Sequence, residues 1–194
     1  MRMRDPWLTI PGVQQGERTL EEQMLGLEPA LLASAGKSVI DFGCAEGLIG
    51  LEFVKAGALR LDGFDLRPEF LACAKQQADA GGVADRCQFH EYNLASLCEA
   101  DRPASPLPGH GADIVLALAI VHKLRNPGMA LRHMAGFARE RVVIRLPKGS
   151  SGVIRCKFDP RKQCDTDEVM PEAGFRLDQV CDGPRGELVQ HWVR

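Results

Sequence analysis

The stretch VIDFGCAEGLIG, residues 39–50, constrains this chain more than any other. An apolar run ends on Asp41. A loop of small residues follows, with Gly43, Ala45 and Gly47, and a helix-like pattern begins at once. A short apolar run bounded by glycines reads as a buried strand. Glycine lets the backbone turn sharply and approach a ligand without side-chain clash. The helix that restarts here presents unpaired backbone N–H groups at its first turn.

The rest of the chain repeats this alternation. Residues 19–33 read as one helix, with Thr19 as its cap and Glu22 three places on. SVIDF is a first strand and LIGLEFVKAG a helix closed by Gly57. ALRLDGFDL is a second strand, and PEFLACAKQQADAGG a helix with Pro68 in its first turn. RCQFHEYNL and residues 112–120 are further strands. NPGMALRHMAGFARE is a helix, and RVVIRLP is a fifth strand. Such order implies an α/β fold, a mostly parallel sheet with helices on both faces. The end departs from it: DTDEVMPEAGFRLDQV reads as a helix running into a strand, and ELVQHWVR as another strand after a turn. Two strands so tightly joined pair antiparallel. The expectation is a seven-stranded Rossmann-like sheet with a C-terminal antiparallel hairpin. The longest connections fall at 98–111 and 148–165.

Composition excludes several classes. The net charge of -2 gives no global case for nucleic-acid or membrane binding. No apolar run is long enough to cross a bilayer, and the start, MRMRDPW, has no apolar stretch behind its arginines. The 7 cysteines are odd in number and none stands as C-x-x-C, which argues against disulfides and a structural zinc site. No metal and a cytoplasmic location are expected.

In an open α/β sheet, ligands sit beyond the carboxyl ends of the strands. Asp41 stands at such an end and can receive a cationic or hydrogen-donating group. Asp65 ends the next strand, where an acid can accept both hydroxyls of a ribose. Either acid alone would read as a strand-end residue stabilised by a helix dipole. Together, in this order around a glycine loop, they read as a nucleoside-cofactor site. The loop runs D-x-G-x-A-x-G and does not complete the dinucleotide pattern G-x-G-x-x-G. An acid there suits an ammonium group better than a pyrophosphate.

On these residues, with HEYNLAS, ADIVLALAIVHKL and the terminal hairpin, the chain resembles the class I S-adenosylmethionine-dependent methyltransferases over residues 37–194. The resemblance implies a cofactor, S-adenosylmethionine, and a product, S-adenosylhomocysteine. It implies that Gly43, Cys44, Ala45 and Gly47 line the methionine part, with Asp41 near its ammonium. Asp65, beside Leu66, would hold the ribose. Asn93 and Leu94 would meet the adenine, and Ala117 and Leu118 would offer carbonyls. The family often has an acid where Asn93 stands. Residues 1–36 would form a segment and helix covering the cofactor, with Arg18 facing the methionine carboxylate. The alternative for that segment is a solvated loop before a capped helix.

The acceptor is less defined. His122, just past the fourth strand, is the residue best placed to act as a base. The N-P-P-[YF] signature and a Pro-Cys nucleophile are both absent after this strand. Residues 120–162 carry 11 Lys and Arg against 2 acids. Lys123, Arg125, Arg145 and Lys148 are the candidate substrate-binding residues, with Arg155 and Lys157 completing a basic rim. The expectation is methyl transfer to an anionic small molecule or RNA. The alternatives are a small-molecule O- or N-methyltransferase and a non-catalytic nucleoside-binding module active through a partner.

Overall fold

A computed structural model describes residues 6–99 and 111–194. Most of the Pro- and Gly-rich connection at 98–111 therefore lies outside the described residues, as do residues 1–5. The elements are α1 (Leu20–Met24), α2 (Glu28–Leu32), β1 (Ser38–Phe42), α3 (Leu48–Lys55), β2 (Arg60–Asp65), α4 (Pro68–Ala80) and β3 (Cys87–Glu91). They continue with β4 (Ala112–Leu118), α5 (Pro127–Gly136), β5 (Ala138–Leu146), β6 (Val153–Arg155), β7 (Gln163–Asp165), α6 (Thr166–Glu172), β8 (Arg176–Asp182) and β9 (Leu188–Val193).

The main sheet runs β3-β2-β1-β4-β5-β9-β8. The first five are parallel, and β9 lies antiparallel between β5 and β8. This is the seven-stranded arrangement expected from the sequence. Central strands covered on both faces need nearly continuous apolar sequence, which VIDF and IVLAL supply. Side chains alternate between faces. Ile40, Phe42, Val142 and Ile144 enter one core with Trp192. Val39, Ile114, Leu116 and Val143 enter the other with Phe53 and Leu61. By the same period, Asp41 at the end of β1 and Arg145 near the end of β5 share the second face.

Three local expectations are corrected. The single helix over 19–33 is broken into α1 and α2, because Gly26 is left-handed at φ 78° and Pro29 opens a new helix. Thr19 does cap the first, accepting the Glu22 N–H at 3.2 Å. The segment ARE, placed in the α5 helix from sequence, belongs to β5. The connection 148–165 contains the small antiparallel pair β6-β7. No described helix is long and apolar enough to cross a membrane.

Candidate functional site

The carboxyl ends of β1, β2, β4 and β5 frame a cavity of about 680 Å³. Its first wall is the loop after β1. Gly43 and Gly47 have φ of 80° and 74°. A Cβ on Gly47 would lie 2.8 Å from Ala74 and 3.0 Å from Phe89, so both conformation and space require glycine. Ala45 also has a positive φ, 48°, a conformation that costs a non-glycine residue about 1 kcal/mol. Its N–H donates to Asp65 Oδ2 at 3.1 Å. The N–H groups of Gly43 and Cys44 donate to the Phe64 carbonyl at 2.8 and 3.1 Å. The loop is thus fastened to the end of β2, with Asp65 as one of its anchors. Asp65 Oδ1 accepts the Arg67 N–H at 3.0 Å, and each oxygen keeps a free lone pair.

Asp41 lines the cavity yet is only 3% exposed. Among the described residues no donor bonds its carboxylate. Burial first, and the Asp65 charge second, push its pKa up to about 7 against the pull of Arg145. A buried acid open to a cavity and left without a donor could receive a cationic group.

Arg145 also lines the cavity, but as a buried strut. It donates to the Gln23 side chain at 2.8 Å and to the Gln23 carbonyl, and its Nε lies 3.9 Å from Glu187. Burial lowers its pKa to about 10. Arg145, expected from sequence to bind substrate, is thus at the cavity but buried and already bonded to Gln23. The strut joins β5, α1 and the segment before β9.

The N-terminal segment covers the loop. Glu46, 1% exposed, accepts the N–H groups of Trp7 at 2.7 Å and Leu8 at 3.4 Å. The Thr9 N–H donates to the Arg18 carbonyl at 2.8 Å and the Ile10 N–H to the Gln14 carbonyl at 2.9 Å, which closes the segment on itself. Trp7, Leu8 and Glu17 line the cavity. Arg18 lies over the Trp7 ring at 4.8 Å and reaches Glu187 at 3.4 Å. Its other terminal nitrogen, Nη1, is buried with no partner among the described residues. Trp7 and Glu46 were not singled out from sequence.

Beyond β4, Leu118, Ala119 and Ile120 line the cavity, while Ala117 is sealed in the sheet. Lys123 and Lys157 complete the lining. Other expected site residues stand elsewhere. Asn93 caps a 3-10 turn at 94–98 by accepting the Ala95 N–H at 3.0 Å, and Leu94 is core. Leu66 is exposed and lies outside the lining, where Arg67 and Phe70 stand instead. His122 is outside it too. Burial, then the Lys123 and Lys157 charges, lower its pKa to about 4, which makes it a weak base. Arg125, Lys148 and Arg155 are exposed away from the cavity, so the six-residue basic rim does not form. Cys44 lines the cavity, but burial raises its thiol pKa well above the ordinary range, which leaves it a poor nucleophile.

All 7 cysteines are free. Among the described residues no group of three His, Cys, Asp or Glu could hold a metal. A second depression of about 470 Å³ lies between α4 and the outer edge of β3, lined by Lys75, Asp79 and Gln88, away from the strand ends that carry the acids.

Residues 39–140 match the family described as Methyltransferase domain. The ribosomal protein L11 methyltransferase of Vibrio parahaemolyticus is 32% identical over 117 residues, 60% of this chain and 36% of that protein. The enzyme of that name from Aeromonas hydrophila is 34% identical over 92 residues, 47% of this chain and 28% of that protein. The chain thus spans about a third of the length of these relatives. Among solved structures, magnesium protoporphyrin IX methyltransferase from Synechocystis with bound S-adenosylmethionine superposes with a TM-score of 0.64 at 19% identity, covering 90% of this chain and 79% of that one. A methyltransferase from Aquifex aeolicus gives 0.62 at 17% identity, covering 88% and 90%. These likenesses show a shared fold.

Proposed function

This chain belongs to the methyltransferase-domain family, and from that premise we propose that its cavity is the site of methyl transfer from S-adenosylmethionine to a small acceptor. One arrangement carries this: two carboxylates, Asp41 and Asp65, face a single cavity around a loop whose left-handed residues bring backbone close to it. The donor set fits the cofactor. Asp41, buried and without a donor, suits an ammonium group, and Asp65 has lone pairs for ribose hydroxyls. The cavity volume, about 680 Å³, lies in the range of small-molecule sites, on the order of 300–1,000 Å³.

The chemistry the cofactor supplies when bound is an activated methyl group on a sulfonium. The protein's own task is to orient two partners and exclude water. Gly43, Ala45 and Gly47 shape the wall that would hold the methionine part. Arg18 stands outside the lining, on the Trp7 ring and Glu187, and is not assigned the methionine carboxylate. Residues 6–18 cover the site through Glu46, and Leu118 would meet the cofactor from β4. No base is assigned, because His122 is turned out of the cavity.

A small acceptor is favoured over RNA because the basic residues do not form a continuous rim. The test is transfer of labelled methyl from S-adenosylmethionine to a panel of small carboxylates, phenols and amines, an RNA pool, and ribosomal protein L11, which names the relatives' substrate. Label on small molecules alone is expected. Label on RNA or protein alone would overturn the small-acceptor assignment.

A further inference from the structure

Of the acids that line the cavity, Asp41 and Asp65 come from β1 and β2 and Glu17 from the N-terminal segment; of the bases, Arg67 follows β2, whereas Lys123, Arg145 and Lys157 come from the side of β4 and β5. Arg145 is engaged by Gln23 and Glu187. Neither lysine forms an ion pair among the described residues, although Lys123 Nζ stands over the Trp7 ring. Among the described residues neither has a carboxylate within 4.0 Å.

The fold nevertheless holds them together. Lys123 closes the 3-10 turn that follows β4, and Lys157 sits in the β6-β7 connection. The Lys157 N–H donates to the His122 carbonyl at 2.7 Å, one residue from Lys123. The Cys156 N–H donates to the Lys162 carbonyl at 2.8 Å and closes the hairpin behind it. Lys123 keeps solvent contact, yet the surrounding protein and then the Lys157 charge lower its pKa. Asp65 and Glu187 oppose that shift more weakly, and Arg18 adds to it. His122 is neutral near pH 7 and adds no third positive charge. Trp7 forms the adjoining wall, its ring 5.4 Å from Lys123 Nζ.

Two lysine charges on one wall of a cavity, neither of them ion-paired, repel one another, and an entering anion relieves that repulsion. We infer that Lys123 and Lys157 form the subsite for a carboxylate or phosphate group of the methyl acceptor, with the Trp7 ring as the apolar wall for the group that bears it. This deepens the methyl-transfer reading and rests on it. The cofactor also carries a carboxylate, so the two sources of an anion must be separated.

Trp7 makes this measurable. The chain has 2 tryptophans, and the other, Trp192, is 2% exposed in the core. Benzoate and inorganic phosphate are titrated into protein saturated with S-adenosylhomocysteine, with tryptophan emission as the readout. At least one of the two should give a saturable change. Lys123→Met and Lys157→Met should each weaken it by about tenfold or more, as expected for loss of a charge-assisted contact. Lys123→Arg should retain it, and affinity for S-adenosylhomocysteine should change less than about threefold in all three variants. No saturable change, or equal binding by the Met variants, overturns the subsite. Displacement of S-adenosylhomocysteine by the anions, with loss of its affinity in the Met variants, overturns the acceptor assignment and gives the lysines to the cofactor. A wild-type protein that ignores S-adenosylhomocysteine defeats the proposed function itself, and the subsite as an acceptor site with it.

Discussion

The carboxylate of Glu46 accepts the backbone N–H of Trp7 at 2.7 Å, across 39 positions of the chain. Glu46 belongs to the loop after β1, and Trp7 to the segment that covers it. Replacing Glu46 with Ala leaves the Trp7 and Leu8 N–H groups without their acceptor. The expected loss is about 2 kcal/mol of stability, as for hydrogen bonds to a charged group. The covering segment should also open, so trypsin should cut faster after Arg18 and affinity for S-adenosylhomocysteine should fall. Unchanged cleavage and affinity would show that this contact does not hold the cover.

Asp41 predicts a pH dependence. Its folded-state pKa, about 7, lies above its ordinary value of 3.8. The fold therefore favours the neutral acid. The stability this contributes is full below about pH 4 and is lost as pH rises through about 7. A bound ammonium group favours the ionised form instead. Affinity for S-adenosylhomocysteine should then rise about tenfold between about pH 6 and pH 8, as one proton is released on binding. His122, lowered to about 4, and Arg145, lowered to about 10, titrate outside this window. Calorimetry across the range checks it. Asp41→Asn should flatten the profile, and a wild-type profile already flat would remove Asp41 from the ammonium.

His122 should be dispensable for proton transfer. Its side chain is outside the cavity lining and its pKa is lowered to about 4. His122→Ala should keep turnover within about fivefold, far from the loss of about a hundredfold or more expected for a general base. Steady-state kinetics on any labelled acceptor decides this. A hundredfold fall in kcat with unchanged cofactor affinity would restore the base.

The legible parts of this protein are those encoded over short spans. VIDF, the Gly43–Gly47 loop and Asp65 are each set by a strand ending and a helix beginning, so pattern alone located them. Gly26 and Pro29 carried the signal for the break between α1 and α2, but the apolar spacing around them outweighed it. Strands β6 and β7 have three residues each, too few for alternation to register. The partners of the site are long-range. Glu46 meets Trp7, Arg145 meets Gln23 122 positions away, and Lys157 reaches His122 by a backbone bond. None of these pairings leaves a local pattern. Charge counting marked a basic block but could not tell the buried Arg145 from the exposed Arg125, because burial follows from the packing of α1 and β9 against β5.

If the cleft between Asp41 and Asp65 binds the methyl donor, calorimetric titration of S-adenosylhomocysteine into wild-type and Asp65→Ala protein will separate the two. Asp65 both offers acceptors to a ribose and braces Ala45 in its left-handed conformation. The wild type should bind one equivalent saturably. The variant should remain folded and bind more weakly by about 2 kcal/mol, roughly thirtyfold. No saturable binding by the wild type, or equal affinity in the variant, would remove the methyl donor from this cleft.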